Sequence, residues 1–385
     1  MKLLGARKRL HLWHAVVLVP ATVVVGLWVF MLVAPSLPAT MLAALVTESS
    51  PETARPADEP RVLTEAELKA VDWRQAYQQQ DWPQCIELGL EMNRLDSGNL
   101  SYQYNLACAY ARNAEPEKAV AWLAKAAASG FLIVKLFETD PDLESVRSHA
   151  GYEAALHVVK KNRSEDLANL RARFEEESIM VVLPPEHKED EPAPLIIALH
   201  GRGSRASNIV REWRDIAAEM GAILIVPQAV YHSPGSAGFT WMGADTLYSL
   251  CDDAEFLVRL TFEFAVKEYA IDRERVILTG FSEGGFVSQS VAIRPPYLFT
   301  GVIPMGSGYL RGYDAPPKAV GDQPPRFYFM SGERDDAADE IPVAAQDYAA
   351  AGYETKFRIY PDVGHRFPIE RDEELRKALE FVLQR

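Results

Sequence analysis

The segment Gly280-Phe281-Ser282-Glu283-Gly284-Gly285 follows directly on Arg275-Val276-Ile277-Leu278-Thr279. The short β-branched run reads as a buried strand, and the stretch beyond Gly285 reads as a helix. The chain must therefore turn from strand to helix within a few residues. Such a turn strains the backbone at Ser282, and side chains at positions 280 or 284 would collide with neighbouring elements, which is the physical reason for two glycines. Ser282 then projects its hydroxyl from the C-terminal edge of a sheet. A helix N-terminus lies behind it, where free N–H groups favour developing negative charge.

A hydroxyl nucleophile needs a base, and the base needs an orienting carboxylate. Where Gly-x-Ser-x-Gly forms a nucleophile turn of this kind, the partners follow along the chain in the order Ser, acid, His. The sequence holds eight histidines, and only His365 lies after Ser282. It sits in the turn-rich Tyr360-Pro361-Asp362-Val363-Gly364-His365 stretch, after the strand-like Thr355 to Ile359. The acid is expected after the preceding strand, Arg326 to Met330, which opens into Ser331-Gly332-Glu333-Arg334-Asp335-Asp336. Asp335 is the choice, because a Gly-x-x-Asp turn past a strand end can lay its carboxylate beside the imidazole. Asp336 and Asp339 compete, and the whole acidic run would also suit the solvated start of the next helix.

An oxyanion needs donors. Pro194 to Leu199 is a continuous apolar run, as for a strand buried on both faces, and it ends in His200-Gly201-Arg202-Gly203. One donor is expected from the backbone N–H of Glu283 and the other from that of Arg202. His200 precedes the nucleophile strand and is read as a brace for the loop.

Together, Leu199-His200-Gly201-Arg202-Gly203, Gly280-Phe281-Ser282-Glu283-Gly284-Gly285, Gly332-x-x-Asp335 and Gly364-His365 resemble the phospholipase/carboxylesterase branch of the α/β-hydrolases. That branch includes acyl-protein thioesterases, with dienelactone hydrolases and polyester depolymerase-like esterases as near relatives. The likeness covers roughly the last 210 residues. It implies a doubly wound, mostly parallel sheet and cofactor-free hydrolysis of a small-molecule ester or acyl substrate. The family commonly has Gln after the nucleophile where this chain has Glu283. That carboxylate either faces the site, where it would raise the barrier or select cationic or hydrogen-bonding substrates, or points away.

The remaining chain divides into further parts. Residues 1–46 carry Lys2, Arg7, Lys8 and Arg9, then an uncharged run from Ala15 to Ala34. At 1.5 Å per residue it spans about 30 Å, the thickness of a hydrocarbon core. With no further Lys or Arg before Arg55, the positive-inside rule predicts a single-pass anchor with the catalytic part outside the cytoplasm. Cleavage of the segment would instead give a secreted protein. Residues 47–62 read as a flexible linker.

Over residues 63–162 the pattern is helical. Ala76-Tyr77 and Ala109-Tyr110 recur at a spacing of 33, and Tyr104 to Ala111 with Trp122-Leu123 resembles tetratricopeptide-like repeats. The resemblance implies a docking surface for a protein partner, although a structural spacer fits equally. Residues 175–385 alternate strand and helix, the mark of an α/β domain. The long Tyr231 to Trp241 loop, with Phe239 and Trp241, is expected to line the substrate pocket. A net charge of −14 excludes a basic nucleic-acid footprint. No CxxC, HExxH, P-loop or dinucleotide fingerprint occurs, so no metal or nucleotide site is expected. Cys85 and Cys108 are read as buried thiols, with pairing left open.

These features point to a serine esterase with Ser282, Asp335 and His365 as its triad. A peptidase would use the same residues. A helical scaffold carrying an inert hydrolase fold is the non-enzymatic alternative.

Overall fold

The computed structural model describes residues 64–176, 179–233, 236–241, 249–308 and 315–384. Helices come first: α1 (Glu65–Gln78), α2 (Trp82–Leu95), α3 (Leu100–Arg112), α4 (Pro116–Ala128), the short α5 (Val134–Thr139) and the long α6 (Tyr152–Glu176). Helix α1 starts at a capping box: Glu67 N–H donates to Thr64 Oγ1 at 3.2 Å, and Thr64 N–H to Glu67 Oε2 at 2.8 Å. Asp81 and Asn99 cap α2 and α3. Neighbouring helices close over Trp73, Met92, Tyr104 and Leu123, all nearly or fully buried. Cys85 and Cys108 are free and buried among them. The segment after α5 is tied back by Tyr104, whose hydroxyl donates to Asp140 Oδ2 at 3.0 Å.

The second part is built on a seven-stranded sheet in the order β1-β3-β2-β6-β7-β8-β9. Its strands are β1 (Met180–Val182), β2 (Ala193–Leu199), β3 (Ile223–Val226), β6 (Ile271–Phe281), β7 (Gly301–Met305), β8 (Arg326–Gly332) and β9 (Thr355–Tyr360). Only β1 runs antiparallel, against β3. A separate hairpin pairs β4 (Tyr231–His232) with β5 (Phe239–Thr240). Helices α7 (Ala206–Glu219), α8 (Ser249–Glu268), α9 (Glu283–Ala292), α10 (Glu340–Ala350) and α11 (Arg371–Leu383) cover the sheet.

The period of two along each strand divides the core. Leu195, Ile197, Leu199, Val276 and Leu278 face one layer with α8, α9 and α10. Ile196, Ala198, Ile277 and Ile303 face the other with α7 and α11. Both layers are fully buried at β2, which explains its unbroken apolar sequence.

Strand order reverses between β2 and β6, the switch point at which such sheets open a crevice beyond their C-terminal ends. Register places the loops after β2 and β6 side by side, since Leu199 pairs with Gly280. Phe281 pairs with Met305 and Gly332 with Tyr360, which brings the exits of β7, β8 and β9 to the same edge. The helical part reaches this sheet through α6. There Arg163 pairs with Asp253 of α8 at 2.5 Å, and Arg173 lies over the Tyr231 ring at 5.2 Å.

One expectation is corrected. Among the described residues no helix is long and apolar enough to cross a membrane. The Ala15 to Ala34 run that suggested a transmembrane helix and a membrane-anchored localisation lies outside the described residues, and neither is carried further.

Candidate active site

Ser282 occupies the junction of β6 and α9 with φ 56° and ψ −117°. Left-handed backbone at a non-glycine residue costs on the order of 1–3 kcal/mol and persists only where the surroundings enforce it. Here they do. A Cβ at Gly280 would fall 2.1 Å from the Gly284 carbonyl oxygen, and one at Gly284 would fall 2.6 Å from that of Leu199. The turn is pinned further by Ser282 N–H, which donates to the Met305 carbonyl at 2.7 Å.

The exits of β8 and β9, beyond β7 in the sheet, carry the two other candidate groups. Asp335 follows β8 and His365 follows β9, and His365 Nδ1 lies 2.8 Å from Asp335 Oδ2. The Asp335 side chain is 3% exposed and that of His365 is 48% exposed. Burial alone would raise the Asp335 pKa. Hydrogen bonds from His365 and the Ala337 N–H, with the charge of His365, outweigh it and hold the carboxyl below its ordinary value. The same hydrogen bond raises the His365 pKa above the usual imidazole range, against the opposing effect of burial. The pair stands over the end of β7. A Cβ at Gly306 would lie 3.1 Å from Asp335 Oδ2, 3.3 Å from His365 Cε1 and 3.2 Å from Phe281 Cε2. The rings of His365 and Phe281, the residue before Ser282, are 4.8 Å apart. Neither Asp336 nor Asp339 takes the position beside the imidazole.

On the β2 side, a Cβ at Gly201 would be 3.2 Å from Ser282 Cβ, so the His200–Gly203 loop abuts the nucleophile turn. His200 is fully buried. Its Nδ1 faces the Gly201 carbonyl at 2.8 Å, while Nε2 accepts from the Ala229 N–H at 3.1 Å. Those partners require a neutral ring with the proton on Nδ1, and burial pushes its pKa down to about 4. His200 therefore braces the loop. Arg202 is exposed at its tip. Glu283 is the first residue of α9, so its N–H has no partner inside the helix. Its side chain is turned inward and 4% exposed. Oε1 accepts the Thr240 hydroxyl at 2.7 Å and Oε2 the Trp241 N–H at 3.0 Å. Burial raises the Glu283 pKa, opposed by these two bonds and by the charge of Arg202.

A cleft of about 700 Å³ opens beside His365, lined by Phe281, Phe367, Ile369, Glu212 and Arg371 among others. Phe281 and Phe367 stack at 5.3 Å to form its apolar wall. Neither Phe239 nor Trp241 lines it. Trp241 has no exposed surface, and its indole N–H donates to the His200 carbonyl at 2.7 Å. Phe239 is half-buried and stacks on His232. The expectation that Trp241 walls the substrate pocket is thereby corrected, and Phe239 lies outside this cleft. The stretch folds into a hairpin whose bonds go inward to Glu283 and His200.

The fold is α/β-hydrolase-like.

No protein-family profile matches the chain. Poly(3-hydroxyalkanoate) depolymerase C of Paucimonas lemoignei is 25% identical over 162 residues, covering 42% of this chain and 36% of that protein. The chain thus spans about a third of the length of the curated relative it matches. Similar solved structures are phospholipase/carboxylesterase-type hydrolases. The Bacillus cereus carboxylesterase is 14% identical at a TM-score of 0.44, over 55% of this chain and 99% of that one. The phospholipase/carboxylesterase of Dyadobacter fermentans is 15% identical at 0.40, over 53% and 96%. At this level of similarity no chemistry transfers to the present chain.

In this α/β-hydrolase-like frame, sequence reasoning missed the Thr240–Trp241–Glu283 cluster. A signal for it exists. Glu283 lies between Ser282 and a glycine that touches backbone, so its side chain is confined and a buried carboxylate must find donors. Which donors it finds depends on a hairpin more than forty residues earlier, beyond the reach of local pattern.

Proposed function

We propose that the chain is a serine hydrolase of carboxylic esters or thioesters, acting through an acyl-enzyme. The observation that carries this is a strained serine between two glycines at the exit of β6, with a 2.8 Å imidazole–carboxylate pair at the exits of β8 and β9 on the same edge. Ser282 Oγ attacks the carbonyl carbon as His365 Nε2 takes its proton. Asp335 holds the Nδ1–H tautomer and stabilises the imidazolium. The N–H groups of Arg202 and Glu283 receive the tetrahedral oxyanion. Its collapse expels the alcohol or thiol, which takes the proton from His365, and water repeats the cycle to release the acid.

The full chain should react with a fluorophosphonate probe at Ser282 and turn over short p-nitrophenyl esters, with Ser282→Ala lowering kcat by roughly 10⁴–10⁶. An unlabelled Ser282, or a Ser282→Ala chain as active as wild type, would defeat the reading. A poly(3-hydroxyalkanoate) film belongs in the same substrate series, given the substrate in the depolymerase's name.

Helices α1 to α4 are assigned, as part of this proposal, to a tetratricopeptide-like module that docks a protein segment. Leu68 and Leu90 stand exposed on α1 and α2. Their replacement by Glu should leave ester turnover unchanged. A loss of turnover would show that this face serves the hydrolase itself.

A further inference from the structure

We propose that the Glu283 side chain is a positioning residue that fixes the two oxyanion donors relative to each other, by locking the Thr240–Trp241 end of the hairpin to both donor segments. The inference rests on the serine-hydrolase reading above.

The two donors come from distant chain segments. Arg202 belongs to the loop after β2, and Glu283 begins the helix after β6. An oxyanion hole works only when both N–H groups converge on one point, with donors about 2.7–3.1 Å from the oxyanion. Something must hold the segments in mutual register. The parallel pairing of β2 and β6 ends at Leu199 and Gly280, before either donor is reached. Beyond that point hydrogen bonds among the described residues trace an interior path. Glu283 Oε2 accepts from Trp241 N–H at 3.0 Å, and the Trp241 indole N–H donates to the His200 carbonyl at 2.7 Å. His200 leads into Gly201 and Arg202, and its ring lies 5.1 Å from that of Trp241. Glu283 Oε1 adds a second grip on the hairpin through Thr240 at 2.7 Å. Trp241 is fully enclosed, so water does not compete for these bonds.

The hairpin is also joined directly to the oxyanion loop. Gly203 N–H donates to the Phe239 carbonyl at 2.8 Å, and Phe239 N–H donates to that of Ser204 at 2.9 Å. Those bonds do not involve Glu283. Removing its side chain therefore leaves loop and hairpin together and deletes their side-chain hydrogen bonds to the nucleophile helix. The packing of Gly201 on Ser282 and of Gly284 on the Leu199 and His200 carbonyls remains, and it holds the donors in a looser register. A buried carboxylate is an expensive way to make such a tie. A neutral amide has the geometry to replace it: a Gln carbonyl can accept from Trp241 N–H while its NH₂ donates to the Thr240 hydroxyl.

The test compares kcat and KM for a short p-nitrophenyl ester in the full chain, its Glu283→Ala and Glu283→Gln variants, and Trp241→Phe. Glu283→Ala should lower kcat by about 10²–10³, the range for loss of one oxyanion donor, with KM within about threefold. Glu283→Gln should recover kcat to within about tenfold of wild type, which a purely steric role would not require. Should Glu283→Ala fail to fold, Trp241→Phe removes the indole N–H to the His200 carbonyl together with part of the buried ring, keeps the backbone N–H to Glu283, and should still lower kcat about tenfold or more. A folded Glu283→Ala chain with wild-type kcat overturns the inference alone, as does Glu283→Gln equal to Glu283→Ala, or Trp241→Phe at wild-type kcat. A wild-type chain without ester turnover and without labelling at Ser282 removes the parent reading and this inference with it.

Discussion

Asp335→Asn is the substitution that separates tautomer control from simple packing. Asp335 gives one oxygen to each of two donors: Oδ2 to the His365 ring at 2.8 Å and Oδ1 to the Ala337 N–H at 3.0 Å. A carboxylate serves both, whereas an asparagine has only one acceptor oxygen. If that oxygen stays with the Ala337 N–H, the amide NH₂ faces His365 Nδ1. The ring must then place its lone pair at Nδ1 and its proton at Nε2, where it cannot accept from Ser282. If the amide turns over, the Ala337 N–H meets a donor in a site only 3% exposed. Either way the base is misassembled without a change in volume. Loss of the correct tautomer costs about 10³–10⁴ in kcat, which is about 4–5.5 kcal/mol in the barrier.

The pH profile provides an independent readout. The Asp335 hydrogen bond raises the His365 pKa, and the base is active only when neutral. Wild-type kcat/KM should therefore fall as pH drops through a value above 6.5. In Asp335→Asn the residual activity should show its acid limb at lower pH, because the stabilising anion is gone. Both quantities come from p-nitrophenyl ester hydrolysis between about pH 5 and 9, which brackets histidine titration. A variant within tenfold of wild type, or an acid limb that stays in place, would refute the assignment of Asp335 as the orienting carboxylate.

Other perturbations test the frame around this pair. Gly284→Ala puts a methyl 2.6 Å and 2.7 Å from the Leu199 and His200 carbonyl oxygens. The clash is with backbone, so a loss of at least about 2 kcal/mol is expected by denaturant unfolding, and unchanged stability would contradict the packing. His200 is neutral in the fold, with its pKa pushed down to about 4 from 6.5. Between those values the unfolded chain binds the extra proton, so stability should fall as pH drops from 6.5 to 4, by about 3 kcal/mol from this group. His200→Gln should flatten that part of the stability profile, and an equal acid loss in the variant would show that other groups cause it.

Strands β2, β6 and β8 were legible from apolar runs, because strands buried on both faces need them, whereas the edge strand β9 carries Lys356 and Arg358 on exposed positions and was legible from its Thr355 to Ile359 pattern. Boundaries shifted where a strand extended past its apolar centre, as β6 does at the charged Asp272 to Arg275. The strand exits that carry Ser282, Asp335 and His365 were legible for a related reason. Chain order constrains them, and parallel register then carries those exits to one edge. The hairpin β4–β5 read instead as an open loop. Its Ser, Pro and Gly content is that of a loop, and its two-residue strands leave no periodicity to detect. The consequence was an inverted assignment. Trp241 reads as a pocket residue because the Tyr231 to Trp241 stretch is a long loop near the sheet edge. In the fold it already has its partners, Glu283 and the His200 carbonyl, and both arise from segments whose proximity only the closed sheet creates. Aromatic residues beside a nucleophile are thus ambiguous from sequence in a specific way. A Trp whose two N–H groups both find interior acceptors belongs to the scaffold of the site, whereas Phe281 and Phe367 have no polar group to satisfy and are free to wall the cleft. The deciding quantity is the set of acceptors available to the indole, and that set is a property of tertiary register.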